Sequence, residues 1–223
     1  MKPMVRNLPD KVKRFASLAY VGARLKIFPA ASDLTGIVDF ALGNYALECL
    51  QHRAELLEFS RMVSDLRPRA LLEIGTFRGG TLFVFSKLAA EDATIISLDY
   101  WRYTPVYSPV FHSFCRKSQK LHVVRGDSRD PAHFSRIKSH LPNGTLDLLF
   151  IDGNHAYEMV KSDFELYSPL VRPGGMIAFH DIITRHPGCN VPQFWTEIKD
   201  RHRHLEIVED RKRDWGGIGV LFW

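Results

Sequence analysis

The stretch ALLEIGTFRGGT (Ala70–Thr81) passes from a mainly apolar run into a glycine-rich turn and on toward a helical pattern near Gly79. A short apolar run bounded by Pro68 and Gly75 reads as a buried strand. The same grammar recurs downstream. Apolar runs at Thr94–Leu98, His122–Val124, Leu146–Ile151 and Met176–Phe179 alternate with helical patterns at 79–90, 107–118, 131–140, 156–170 and 191–203. Strands separated by helices predict a parallel sheet with crossover helices. Two last runs, Leu205–Val208 and Ile218–Phe222, flank a turn containing Trp215-Gly216-Gly217. They are close enough to form an antiparallel hairpin, which needs no crossover helix. The expected fold class is α/β, doubly wound, with seven mostly parallel strands and an antiparallel last one.

Upstream of Pro68 the pattern is helical, with amphipathic stretches at 10–27 and at 45–65, the latter carried by Leu47, Leu50, Ala54, Leu57 and Met62. Residues 1–67 are therefore assigned to a helical cap or subunit-contact region and 68–223 to the α/β domain. Residues 1–31 hold seven basic side chains against one acid, a net of +6 that leaves −1 for the other 192 residues. Basicity confined to one segment is not the broad patch that binds a nucleic-acid backbone, so no nucleic-acid partner is expected. The segment instead offers a contact for an acidic partner, a membrane surface or another subunit, or is a solvated helix face.

With 45% apolar and 25% charged residues in 223, the composition is that of one ordinary globular domain. Three widely spaced cysteines, Cys49, Cys115 and Cys189, form no metal-knuckle spacing and predict a reducing, cytoplasmic setting. No run approaches the roughly 18 apolar residues of a membrane span. The apolar segment Phe15–Ala23 is short and bracketed by charges, unlike a secretory leader.

In an open parallel sheet, ligands sit beyond the carboxyl ends of the strands. The residues there are Glu73 with Gly75, Thr76, Gly79 and Gly80, then Asp99, then Gly126-Asp127-Ser128, then Asp152-Gly153-Asn154-His155, then His180-Asp181. Glycines allow a sharp turn and a close approach to a ligand. An acid about twenty residues beyond a glycine loop is placed to hydrogen-bond ribose hydroxyls. The G-x-G-x-x-G spacing of nicotinamide-dependent oxidoreductases is missing, which counts against that alternative. Convergence of acids, glycines and histidines on one sheet edge is more specific than any single motif.

The segments Leu71–Thr81, Ser97–Asp99, Gly126–Ser128 and above all Phe150–Asp181 (FIDGNHAYEMVKSDFELYSPLVRPGGMIAFHD) resemble class I S-adenosylmethionine-dependent methyltransferases, Rossmann-like enzymes. The resembling branch contains metal-dependent O-methyltransferases of macrolide sugars and members labelled cephalosporin hydroxylase, with catechol O-methyltransferase more distant. The resemblance spans roughly 45–223. It implies a cofactor, S-adenosylmethionine, bound by Glu73, Gly75, Thr76, Gly79 and Gly80 at its methionine part. Asp99 would take the ribose, Asp127 and Ser128 the adenine, and Asp152 would lie beside the sulfonium. It further implies a divalent metal, Mg²⁺ or Mn²⁺, held at Asp152, Asp181 and His180, and a general base at His155.

His180 departs from the family's oxygen ligands. Mg²⁺ prefers oxygen, whereas Mn²⁺, Fe²⁺ and Zn²⁺ accept imidazole; His180 is thus a ligand or a residue behind the ligands. A histidine suits base catalysis because its ordinary pKa of ~6.5 lies near working pH. The resulting expectation is an O-methyltransferase acting on a hydroxyl of a small molecule, such as a sugar of a glycoside or glycan. A metal-independent O- or N-methyltransferase and a non-catalytic cofactor-binding protein are the alternatives. The acceptor pocket is expected from residues 1–45, 100–115 and 182–192.

Overall fold

The computed structural model describes residues 19–25, 28 and 32–223. Its helices are α1 (Leu34–Gly43), α2 (Arg53–Leu66), α3 (Gly80–Leu88), α4 (Thr104–Phe114), α5 (Pro131–His140), α6 (Tyr157–Tyr167) and α7 (Val191–Ile198). The strands are β1 (Ala70–Ile74), β2 (Thr94–Asp99), β3 (Lys120–Arg125), β4 (Leu146–Ile151), β5 (Val171–His180), β6 (Arg203–Ile207) and β7 (Ile218–Phe222). They form one seven-stranded sheet in the order β3-β2-β1-β4-β5-β7-β6. The first five are mutually parallel, while β7 runs antiparallel to both β5 and β6. The expected fold class is the observed one.

Because the sheet is covered on both faces, its central strands are mainly apolar and buried on both sides rather than alternating; all five residues of β1, Glu73 included, are buried. One face packs against α1, α2, α3 and α4 through residues such as Val38, Phe59, Phe83 and Phe114. The other packs against α5, α6 and α7 through Ile137, Val160, Tyr167, Phe194 and Trp195. Helices α1 and α2, upstream of Pro68, thus share one hydrophobic core with the sheet.

Local differences from expectation have physical causes. Helix α1, which sequence patterning missed, starts at Asp33, whose carboxylate accepts the Gly36 N–H at 2.7 Å. The helix expected from residue 45 begins only at Arg53. Before it, the Asn44 side chain accepts the Ala46 N–H at 3.2 Å and Glu48 takes a left-handed φ of 43°. Leu47 and Leu50 have helical spacing, yet Leu47 is buried and Leu50 exposed. Of the helix expected at 10–27, residues 19–25 are helical and the rest of the basic segment lies largely outside the described residues. Helix α4 starts three residues early, with Pro105 in its first turn, where the missing N–H costs no bond. Among the described residues, no helix is long and apolar enough to cross a membrane.

Candidate active site

The sheet order reverses between β1 and β4, and the loops after these strands meet there. Gly75 makes the meeting possible. Its φ is +91°, and a Cβ at this position would lie 2.0 Å from the Asp152 carbonyl oxygen. Two adjoining cavities, of about 590 and 460 Å³, open at this edge and share Gly75, Phe77, Asp152 and Gly153 as a common wall.

The first cavity is walled by the loops after β1, β2, β3 and β4. Asp99 ties two of them together: its Oδ2 accepts from the Thr76 and Phe77 N–H groups at 2.8 and 2.5 Å, and its Oδ1 from Trp101 N–H at 2.7 Å. Thr76 is braced from below by a 2.8 Å hydroxyl contact with Ser97. Asp127 is gripped by Arg129 through both oxygens, at 3.1 and 2.8 Å, and these bonds hold its carboxyl at about 2. Ser128 is fixed through its carbonyl, which accepts the Tyr167 hydroxyl at 2.8 Å.

Asp163 also lines this cavity, 1% exposed, and burial pushes its carboxyl up to about 6. Sequence reading missed it. The available signal was an acid on the buried stripe of α6, between Val160 and Tyr167. Glu73 and Gly79 line neither cavity. Glu73 lies beneath the glycine turn with a hydrogen bond from the Thr81 hydroxyl, and burial pushes it up to about 8. Gly79 starts α3 and backs onto Phe111 and Phe114, while Gly80 lines the second cavity and abuts Cys49.

The second cavity holds the chemistry-bearing residues from the ends of β4 and β5 together with residues 48–51 and Trp215. Ligand atoms of Asp152, His155 and Asp181 lie within 4.8 Å of one another. His155 Nε2 is 3.2 Å from Asp181 Oδ2. His180, 4% exposed, directs Nδ1 at both carboxylates, 3.4 Å from Asp152 Oδ1 and 3.2 Å from Asp181 Oδ2. Burial opposes its protonation, but the two carboxylates outweigh burial and raise its pKa. Burial likewise opposes the ionised form of Asp181, and His180 and the Thr184 hydroxyl outweigh it and lower its pKa.

The outer oxygens are taken by neighbours. Gln51 Nε2 donates to Asp152 Oδ2 at 2.8 Å and the Thr184 hydroxyl to Asp181 Oδ1 at 2.5 Å. Asp181 itself adopts φ +67°, unusual for a residue with a side chain. The sequence offered no signal for Gln51, whose partner lies across the fold. Of the acceptor wall expected from residues 1–45, 100–115 and 182–192, residues 1–18, 26–27 and 29–31 lie outside the described residues; among the described residues, 48–51 and Trp215 supply the wall of this cavity.

A divalent cation fits this donor set: two carboxylates with inward oxygens and an accessible imidazole suit Mn²⁺, and the carboxylates alone suit hydrated Mg²⁺.

A sequence profile for a methyltransferase domain matches residues 72–182, which include Gly75, Asp99, Asp152 and Asp181. The chain carries a methyltransferase domain. It is 30% identical over 169 residues to the Sinorhizobium fredii protein y4gI, which has no described function; the match covers 73% of this chain and 18% of that one. It is 33% identical over 112 residues to demethylmacrocin O-methyltransferase of Streptomyces fradiae, covering 45% of this chain and 28% of the relative. The chain thus spans half or less of the length of the first curated relatives it matches.

Among solved structures, an O-methyltransferase from Bacillus cereus in complex with S-adenosylhomocysteine matches with a TM-score of 0.60 at 14% identity, over 94% of this chain and 100% of the other. The MycE methyltransferase of the mycinamycin pathway, in complex with Mg and S-adenosylhomocysteine, matches with 0.58 at 18% identity, over 83% and 54%. At such identities the likeness is one of fold. The matched profile spans residues 72–182, so the 48–51 segment before it and Trp215 after it lie outside it.

Proposed function

We propose that this methyltransferase transfers the methyl group of S-adenosylmethionine to a hydroxyl of a small molecule, a sugar of a glycoside or glycan, with a divalent cation at the site. One observation carries the reading: Asp152 stands on the wall between the two cavities, with His155 and Asp181 beside it. The first cavity takes the nucleoside, with Asp99 toward the ribose and Asp127 and Ser128 toward the adenine. Gly75, Thr76 and Gly80 leave room for the methionine part, with Glu73 and Gly79 supporting that turn from behind. The complex of MycE with Mg and S-adenosylhomocysteine supports the pairing of cofactor and metal.

Asp152 and Asp181 are the residues that would hold the cation, with His180 bracing both from behind. When bound, the cation supplies Lewis acidity that eases loss of the acceptor's hydroxyl proton. His155 receives that proton: Asp181 steadies its Nε2, which leaves Nδ1 to act as the base. The Asn190 N–H holds the His155 carbonyl at 2.8 Å, so α7 fixes the height of the ring. The rest is alignment of oxygen, methyl and sulfur, for which effective molarities of ~10⁵ M or more are available.

A second reading is favoured by His180. A ring nitrogen already bridging both carboxylates supplies a proton-bearing partner where a metal would otherwise sit, and transfer would then run on His155 without one. Calorimetric titration of Mn²⁺ and Mg²⁺ into protein saturated with S-adenosylhomocysteine separates the two. The metal reading expects binding in the wild type, none in Asp181→Asn, and a loss of methyl transfer of about 100-fold or more in that variant. Transfer indifferent to chelator leaves the second reading standing, and absence of S-adenosylhomocysteine binding overturns both.

A further inference from the structure

We propose that Trp215 is the platform of the acceptor site, and that the acceptor is a pyranose ring laid with its C–H face on the indole; this rests on the methyl-transfer reading above. Trp215 lines the second cavity with Asp152, His155 and Asp181, yet remains 42% exposed. Large aromatic side chains gain most from burial, so one held at a cavity rim needs restraints elsewhere. The loop supplies them. The buried Glu55 carboxylate of α2 accepts the Gly217 N–H at 2.9 Å and the Glu209 N–H at 3.0 Å, gripping both ends of the loop.

His52 stacks against the indole at 3.9 Å between ring centroids, with its Nε2 3.3 Å from the Trp215 carbonyl. Its Nδ1 accepts from Arg213 at 2.8 Å. Gly216 and Gly217, at φ +102° and +81°, leave no room for side chains: a Cβ on Gly216 would lie 2.6 Å from the His52 ring. Gly216 N–H donates at 2.9 Å to the Thr184 hydroxyl, which donates to Asp181. One chain of hydrogen bonds therefore sets the indole in register with the candidate catalytic carboxylate.

His52 covers one face of the indole, so the opposite face is the one a ligand can use. The rest of the cavity identifies the ligand's class. Trp215 and Leu50, the latter 58% exposed, are its exposed apolar groups, whereas Glu48, ion-paired with Arg78, and Gln51, bonded to Asp152, bring polar edges beside Asp152 and Asp181. A flat aromatic acceptor is held best between two apolar walls. A ring with one apolar C–H face and a rim of hydroxyls fits an indole on one side and carboxylates and an amide around it. The polarised C–H bonds meet the negative face of the π system. Rigid presentation of the platform lowers the entropy cost of binding.

The test uses the full chain saturated with S-adenosylhomocysteine and Mn²⁺, titrated calorimetrically with methyl β-D-glucopyranoside and, separately, catechol. The expected result is saturable binding of the glucoside, weakened about tenfold in Trp215→Ala and restored to within about threefold in Trp215→Phe. S-Adenosylhomocysteine affinity should move less than about twofold in either variant, which a merely structural role would not predict. Equal glucoside binding by Trp215→Ala, no glucoside binding by the wild type, or binding of catechol in its place overturns the proposal. Failure of the wild type to bind S-adenosylhomocysteine overturns the methyl-transfer reading itself, and the proposal with it.

Discussion

The two cavities share a wall but are assembled in opposite ways. The first is made mainly from short loops that each follow a sheet strand, so Asp99, Asp127 and Asp152 lie within three residues of an apolar run, and only Asp163 comes from a helix. The second borrows Gln51 from the segment before α2, Asp181 from the end of β5 and Trp215 from the β6–β7 loop. Backbone dominates the first: Asp99 spends its carboxylate on two N–H groups of the loop after β1 and one of its own loop. Side chains dominate the second, where Asp152, His155, His180, Asp181, Gln51 and Thr184 engage one another directly. A binding surface made of consecutive loops can be inherited with the fold, whereas one made of distant side chains can change with few substitutions.

The largest expected effect comes from breaking the shared wall. Gly75→Ala places a methyl group 2.0 Å from the Asp152 carbonyl at a φ of +91°. Overpacking and left-handed strain together should cost about 3 kcal/mol or more in urea unfolding and abolish S-adenosylhomocysteine binding. Gly144→Ala is the control: its φ is also positive, at +73°, but a Cβ there meets nothing within 4 Å. It should cost about 1–2 kcal/mol and leave binding intact. Equal costs would mean that the two loops do not touch as described.

The same contrast explains what could be read from the sequence. The central parallel strands were legible because strands buried on both faces are apolar runs, and edge strand β3 through its short run His122–Val124; the residues just past each run were then fixed by chain direction alone. Asp99, Asp152 and Asp181 were found that way. Gln51, Glu55 and Thr184 were not, since their partners are set by tertiary contact and nothing local marks them. Leu47 and Leu50 misled the helix assignment because two apolar residues at helical spacing also occur in a wall segment with one residue turned in and one out. Asp163 carried a usable signal, a carboxyl on the buried stripe of an amphipathic helix, that patterning for strand ends passes over.

A pH experiment sharpens the difference in how the two regions handle buried acids. Asp181 has imidazole and hydroxyl partners, whereas Glu73 has one hydroxyl from Thr81 and an Oε2 with no partner, and burial pushes it up to about 8. Between the ordinary value of 4.5 and about 8 the folded state keeps a proton that the unfolded state has lost. Stability contributed by this group is therefore present below pH 4.5 and falls as pH rises through that window. Glu73→Gln cannot ionise. Relative to wild type, its unfolding free energy should gain on the order of 2 kcal/mol between pH 5 and pH 8 in urea titrations. Parallel pH profiles would show that Glu73 is ionised in the fold.

The smallest effect concerns the outer rim of the first cavity. Asp127 is assigned to the adenine, yet Arg129 already occupies both of its oxygens. With side chains 50% and 36% exposed, the pair is solvent-screened and worth about 0–1 kcal/mol. A ligand amino group can therefore displace Arg129 from one oxygen at little cost. Arg129→Ala should change S-adenosylhomocysteine affinity less than about threefold, and in the tighter direction, because it removes a competitor for Asp127. A loss beyond about tenfold would mean that Arg129 itself grips the nucleoside. The backbone-built cavity would then depend on a side chain at its rim just as its neighbour depends on Gln51.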